Sequence, residues 1–113
     1  METELVDRND GLKRLGGNAK LYNQLIERFL SSNYIQAIEN ALQSGDLEDA
    51  KHQTHALKGV SANLSLNKIR TASIELEKSF DGGGDQTACF EELKLAYGET
   101  EGYILTNIIG QGS

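Results

Sequence analysis

An all-α fold, an antiparallel up-down four-helix bundle with a short extra N-terminal helix, is predicted by three features of this chain. Proline is absent from all 113 residues, so no residue forces a helix to break. Glycines cluster at Gly16-Gly17, at Gly45, at Gly82-Gly83-Gly84 and near the C-terminal end, dividing the chain into helical lengths. Between them apolar residues recur at a period of roughly 3.6, and no useful stretch alternates as a half-buried strand would.

The first helical segment, 8–15, carries Leu12 and Leu15 behind an N-cap at Asp7 or Asp10. Asn18 is suited to cap 19–31, where Tyr22, Leu25, Ile26 and Phe29 share a face. Ser31-Ser32-Asn33 then lowers helix propensity, and the apolar stripe resumes out of phase at Tyr34 or Ile35, Ile38 and Leu42. This predicts two helices, the second at 33–44, or one bent helix that changes face. Gly45 is placed to end that segment and Asp46 to cap 47–64, with Glu48 and Asp49 at the positive end of the helix dipole. The segment 67–80 carries Ile69, Ala72, Leu76 and Phe80, and the triple glycine after it reads as a flexible connector. In the last segment, 85–108, Phe90, Leu93, Tyr97, Thr100, Ile104 and Ile108 keep the helical period. Gly98 and Gly102 weaken it, so a frayed or bent helix is expected. Short connections between amphipathic helices make antiparallel neighbours, with the N-terminal helix across one end. A single monomeric domain over 1–113 is expected.

The formal charge of −6 and a pI near 4.8 argue against a nucleic-acid partner, which would require clustered Lys and Arg. Cys89 is alone, so neither an internal disulfide nor a CxxC pair can form, and a reducing, cytoplasmic setting is expected. The acidic start Met1-Glu2-Thr3-Glu4 leads into no long apolar run, so neither a signal peptide nor membrane contact by this domain is expected.

The segment 47–64 has two distinct sides. Leu47, Ala50, Thr54, Leu57, Ser61 and Leu64 form a stripe of small or apolar residues suited to a core. The opposite side carries Lys51, His52, His55, Lys58, Gly59 and Ala62. There an accessible imidazole stands beside a positive charge, and the next turn has no side chain. The structural alternative is an ordinary solvated histidine on a solvated basic face. A two-histidine metal pair from His52 and His55 lacks a convincing third ligand, so no metal site is expected.

The run His55-Ala56-Leu57-Lys58-Gly59, followed by Ser61, Asn63-Leu64 and Leu66, resembles the histidine-containing phosphotransfer (HPt) domain of two-component phosphorelays. Its core pattern is His-x-Leu-Lys-Gly with a Leu-Gly downstream. The upstream run Gly11 to Asn18, with Leu21, Tyr22, Leu25 and Phe29, is similar to that family's entry helices. The downstream Leu-Gly is here Leu64-Ser65, which predicts a turn tolerant of a side chain and argues against a left-handed residue.

The resemblance implies a phosphorelay intermediary. His55 would accept a phosphoryl group from an aspartyl-phosphate receiver domain and pass it to another receiver. At an unperturbed pKa of about 6.5 an exposed histidine is mostly neutral and nucleophilic near pH 7. Lys58 would stabilise phosphoryl charge, and Gly59 would give steric access. Glu77, placed by spacing on the next helix where the family puts a polar residue, would orient the imidazole. A carboxylate there also favours the protonated ring, against nucleophilicity. Lys51, His52 and Ala62 would lie on the docking surface. No cofactor is expected in this chain; magnesium would sit on the partner receiver. The partners implied are response-regulator receiver domains and, in some contexts, a hybrid sensor histidine kinase. The chain could be a free-standing relay protein or one module of such a kinase. Kinase activity of its own is not expected, since GxGxxG and GxxxxGK[ST] motifs are absent, as is a proline after the histidine. The rival of another class is a non-catalytic helical-bundle adaptor that binds a signalling partner through the His55 face.

Overall fold

Six α-helices form where the glycine clusters and apolar stripes place them. The computed structural model describes residues 5–109, with α1 at Arg8–Arg14, α2 at Ala19–Leu30, α3 at Tyr34–Ser44, α4 at Leu47–Leu64, α5 at Asn67–Ser79 and α6 at Gln86–Ile104. The acidic first four residues and the glycine-rich finish at Gly110 to Ser113 lie outside the described residues.

Four of the helices start where a side chain accepts from otherwise orphaned amides. Asp7 accepts from Asp10 N at 3.1 Å, Asn18 from Leu21 N at 2.9 Å and Asp46 from Asp49 N at 3.0 Å. Asp85 accepts from Thr87 N at 2.9 Å and Ala88 N at 3.2 Å. Gly45 adopts the left-handed conformation, φ 76°, that lets Asp46 N–H donate back to Ala41 O at 2.9 Å and close α3. The change of face after Ser31 is a break between two helices, α2 and α3, rather than a bend within one.

The turn after α4 differs from expectation. Ser65 is left-handed, φ 56° and ψ 43°, in spite of its Cβ. Its surroundings over-determine that conformation. Leu66 N–H donates to Ser61 O at 2.8 Å, the buried Ser65 hydroxyl donates to Asp10 Oδ2 at 2.5 Å, and Ser65 O accepts from Asp7 N–H at 3.0 Å. Asn67 N–H adds a bond to Leu5 O at 3.0 Å, so α1 and the segment before it lie across the end where α4 turns into α5.

That end is tightly packed. A Cβ on Gly11 would collide with the Tyr22 ring and stand 3.0 Å from Leu64 O. Tyr22 is fully buried and donates its hydroxyl to the same carbonyl at 3.1 Å, and burial pushes its phenol pKa up to about 12.

The core follows the predicted stripes. Tyr22, Ile26 and Phe29 of α2, Ile38 of α3, Ile69, Leu76 and Phe80 along α5, and Phe90, Leu93, Tyr97, Thr100 and Ile104 of α6 are buried. On α4 the stripe holds from Ala50 to Leu64, but Leu47, the first residue of the helix, is exposed. Helices adjacent in sequence pack on one another, α3 on α4, α4 on α5 and α5 on α6, and their short connections turn the chain back each time. Phe29 and Tyr97, with ring centroids 5.0 Å apart, join α2 to α6. Gly98 and Gly102 are exposed and do not interrupt α6; instead its end, expected at 108, gives way after Ile104 to a π-helical turn, Leu105–Ile109. The triple glycine is a hydrogen-bonded turn, with Gly83 N–H donating to Lys78 O at 3.0 Å.

Candidate functional site

The burial of Ala50, Thr54, Leu57, Ser61 and Leu64 fixes the rotation of α4 about its axis and so decides which residues face outward. His55 stands on that outward side with 72% of its side chain exposed. On α5, burial of Ile69, Ser73 and Leu76 turns Glu77 toward α4.

The Glu77 carboxylate uses both oxygens on α4. Oε2 is 3.0 Å from His55 Nδ1, and Oε1 accepts from Lys58 Nζ at 2.6 Å. An ionised carboxylate only accepts hydrogen bonds, so Nδ1 carries the proton. In the neutral ring Nε2 then keeps its lone pair, and it makes no hydrogen bond among the described residues. The bond from Lys58 holds the Glu77 carboxyl below the usual carboxylate range; partial burial pulls the other way, and the bond from His55 adds to the lowering. Lys58, only 29% exposed, is drawn against α5 rather than extended into solvent.

Gly59 is exposed, and a Cβ built on it meets nothing within 4 Å. Among the described residues the space beside the imidazole thus opens outward and serves no packing contact. Lys51 and His52 are exposed on the same side, while Ala62 is half-buried. Lys51 Nζ lies 3.5 Å from Asp81 Oδ1, in the turn after α5. The structure therefore joins His55, Lys58 and Glu77 directly, sets Gly59 beside them, and leaves Lys51, His52 and Ala62 on the surrounding surface.

A cleft that the sequence reading missed lies next to this face. Leu25, Arg28 and Phe29 of α2, Tyr34 of α3 and Val60 and Asn63 of α4 line about 260 Å³. Val60 follows Gly59 and Asn63 stands one turn beyond it, which is the signal available in sequence; nothing local ties them to α2. Among the described residues no three His, Cys, Asp or Glu side chains converge as a metal set would, and no helix is long and apolar enough to cross a membrane.

A search of the curated proteins found no match, and neither did a search of the solved structures. The family model described as "Hpt domain" matches residues 24–107, a span that contains His55, Lys58, Gly59 and Glu77 and leaves α1 outside it. The chain therefore belongs to the Hpt domain family, the histidine phosphotransfer domains of two-component phosphorelays.

Proposed function

We propose that His55 accepts a phosphoryl group from the aspartyl phosphate of one receiver domain and passes it to the aspartate of another. The observation that carries this reading is the bond from His55 Nδ1 to Glu77, which leaves Nε2 as the free nucleophile on an open face. The Nε2 lone pair forms the N–P bond as the aspartyl O–P bond breaks, and the receiver's carboxylate leaves. Nδ1 keeps its proton, and the positive charge that develops on the ring faces the Glu77 carboxylate. The return step forms a new O–P bond and restores the neutral imidazole.

Phosphoryl transfer depends chiefly on alignment and charge stabilisation, so this chain has little machinery to supply. Lys58, 2.6 Å from Glu77 and three residues along α4 from His55, carries its charge on a flexible stem that can swing toward the phosphoryl oxygens. Magnesium belongs to the receiver. The missing side chain at Gly59 admits the receiver's phosphorylated loop, and the α2–α4 cleft, with Lys51, His52 and Ala62 nearby, offers the surface against which the receiver body docks. The protein is a carrier without kinase activity, working in the cytoplasm on response regulators.

Incubation with a phosphorylated receiver and magnesium moves label onto the chain as an acid-labile, base-stable phosphohistidine, and His55→Gln abolishes it. Absence of transfer across a receiver panel, or transfer undiminished in His55→Gln, overturns the proposal. A partner that binds with unchanged output in His55→Ala favours the adaptor.

A further inference from the structure

The α5–α6 surface turned away from His55 holds a second feature. At roughly 3.6 residues per turn, Glu77 falls about 180° around α5 from Lys68, and Lys68, Thr71, Ala72 and Glu75 share the far side. That side, α6 and the segment before α1 enclose an open groove of about 1040 Å³. Its apolar lining includes Leu5, Val6, Ala72, Ala88, Leu95 and Tyr103.

Helix α6 has two stripes. Phe90, Leu93, Ala96, Tyr97, Thr100 and Ile104 are buried in the core, Ala96 at the floor of the groove, whereas Ala88, Leu95 and Tyr103 stand exposed along it, interleaved with Glu92 and Glu99. Leu95 is 65% exposed and Tyr103 37%, although a helix packed on one side only should offer water its polar face. Three carboxylates, Glu75, Glu92 and Glu99, border the groove against one ammonium, Lys68. Lys68 is bonded to Glu99 at 3.1 Å and Lys78, outside the groove, pairs with Glu75 at 3.6 Å over exposed side chains, while Glu92 has no ion-pair partner among the described residues. From Ala88 to Tyr103 the lining runs about 22 Å along α6, the length of four turns of another helix.

We propose that this groove receives a basic amphipathic helix from a partner protein. Its apolar face seats on Ala88, Leu95 and Tyr103, and its Lys or Arg residues meet the unpaired Glu92 first, with the exposed pairs of Glu75 and Glu99 beside it. A second copy of the chain is disfavoured on charge, because a two-fold contact would set these carboxylates against their own copies in a protein of net charge −6. The groove is independent of the phosphotransfer reading of His55, so either can fail alone.

The test uses the full chain, labelled with 15N, and a synthetic peptide of about 18 residues with Leu at helical spacing and Lys elsewhere. The same composition in scrambled order and a Leu/Glu counterpart serve as controls. Amide shifts are expected within Lys68–Glu75 and Ala88–Tyr103. The Kd should rise about tenfold or more in Leu95→Lys and in Glu92→Lys/Glu99→Lys, and the scrambled peptide should bind at least about tenfold more weakly. These positions are exposed, so the variants keep the fold, which circular dichroism checks. Equal binding of the scrambled peptide, shifts centred elsewhere, or no shifts overturn the proposal. So does a dimer in sedimentation that Leu95→Lys dissociates, because the occupant is then a second copy.

Discussion

Lys58 Nζ lies 2.6 Å from Glu77 Oε1, closer than His55 Nδ1 lies to the carboxylate's other oxygen, at 3.0 Å. The carboxylate is thus shared between an ammonium and a ring nitrogen, and toward the ring it acts as a directional acceptor at Nδ1. Glu77→Ala removes that acceptor and should slow transfer to His55 about tenfold, equivalent to about 1.4 kcal/mol of barrier. Glu77→Gln keeps an acceptor oxygen and should lose less. Single-turnover transfer from a phosphorylated receiver measures both; equal rates in all three proteins would show that Glu77 does not position the ring.

The same pair predicts a pH signature. Glu77 titrates below its usual 4.5, so its contribution to stability is complete above that pH and is lost as pH falls through the lowered folded value. Lys58→Met removes the largest cause of the lowering. The Glu77 carboxyl should then titrate closer to 4.5, and the stability gap between the two proteins should close in acid. At neutral pH the gap is about 1 kcal/mol or less, as for other partly exposed pairs. A 13C titration of the Glu77 carboxyl checks this, and identical curves in the two proteins would refute it.

Two glycines make opposite predictions. A Cβ at Gly59 meets nothing, so Gly59→Ala should stabilise α4 by about 0.5–1 kcal/mol. Gly59→Glu should leave helicity and thermal stability nearly unchanged while slowing phosphotransfer, since its side chain would stand where the receiver approaches. At Gly11 the added methyl runs into the Tyr22 ring and approaches Leu64 O, so Gly11→Ala should cost about 1–3 kcal/mol. Thermal denaturation of the three variants distinguishes a glycine kept for access from one kept for packing.

What could be read in the sequence was what local periodicity determines. The burial of Ala50, Thr54, Leu57, Ser61 and Leu64 was legible in their spacing, and it dictates that His55 and Gly59 face outward. The nearness of Glu77 to His55 came from the family resemblance, whose polar residue on the following helix falls by spacing at Glu77, and not from any local pattern. Where the outcome depends on residues distant in sequence, local pattern was blind. Ser65 is left-handed through contacts with Asp7 and Asp10, more than fifty positions away, and Val60 and Asn63 share a cleft with Leu25 and Arg28 through packing of α2 on α4. Leu95 escaped notice because the period of α6 was satisfied by its core stripe alone, leaving its outer apolar residues unassigned.

The Ser65 turn gives the last prediction, and two substitutions separate its conformation from its hydrogen bond. Ser65→Ala keeps a Cβ in the left-handed region and deletes the hydroxyl that donates to Asp10. That bond is the largest cause holding the Asp10 carboxyl below 3.8, with Arg14 next, so the carboxyl should titrate upward in the variant. Ser65→Gly also deletes the bond but relieves the backbone strain, at the cost of a more flexible unfolded chain. The melting temperature of Ser65→Ala should therefore lie below that of both the native protein and Ser65→Gly. A folded Asp10 pKa below the unfolded one stabilises only above that range, so the part of the Ser65→Ala deficit that comes through Asp10 should fade as pH falls below 3.8. Melting curves across acid pH, with the Asp10 carboxyl followed by NMR, decide the matter: a deficit unchanged in acid would place the whole effect in the backbone.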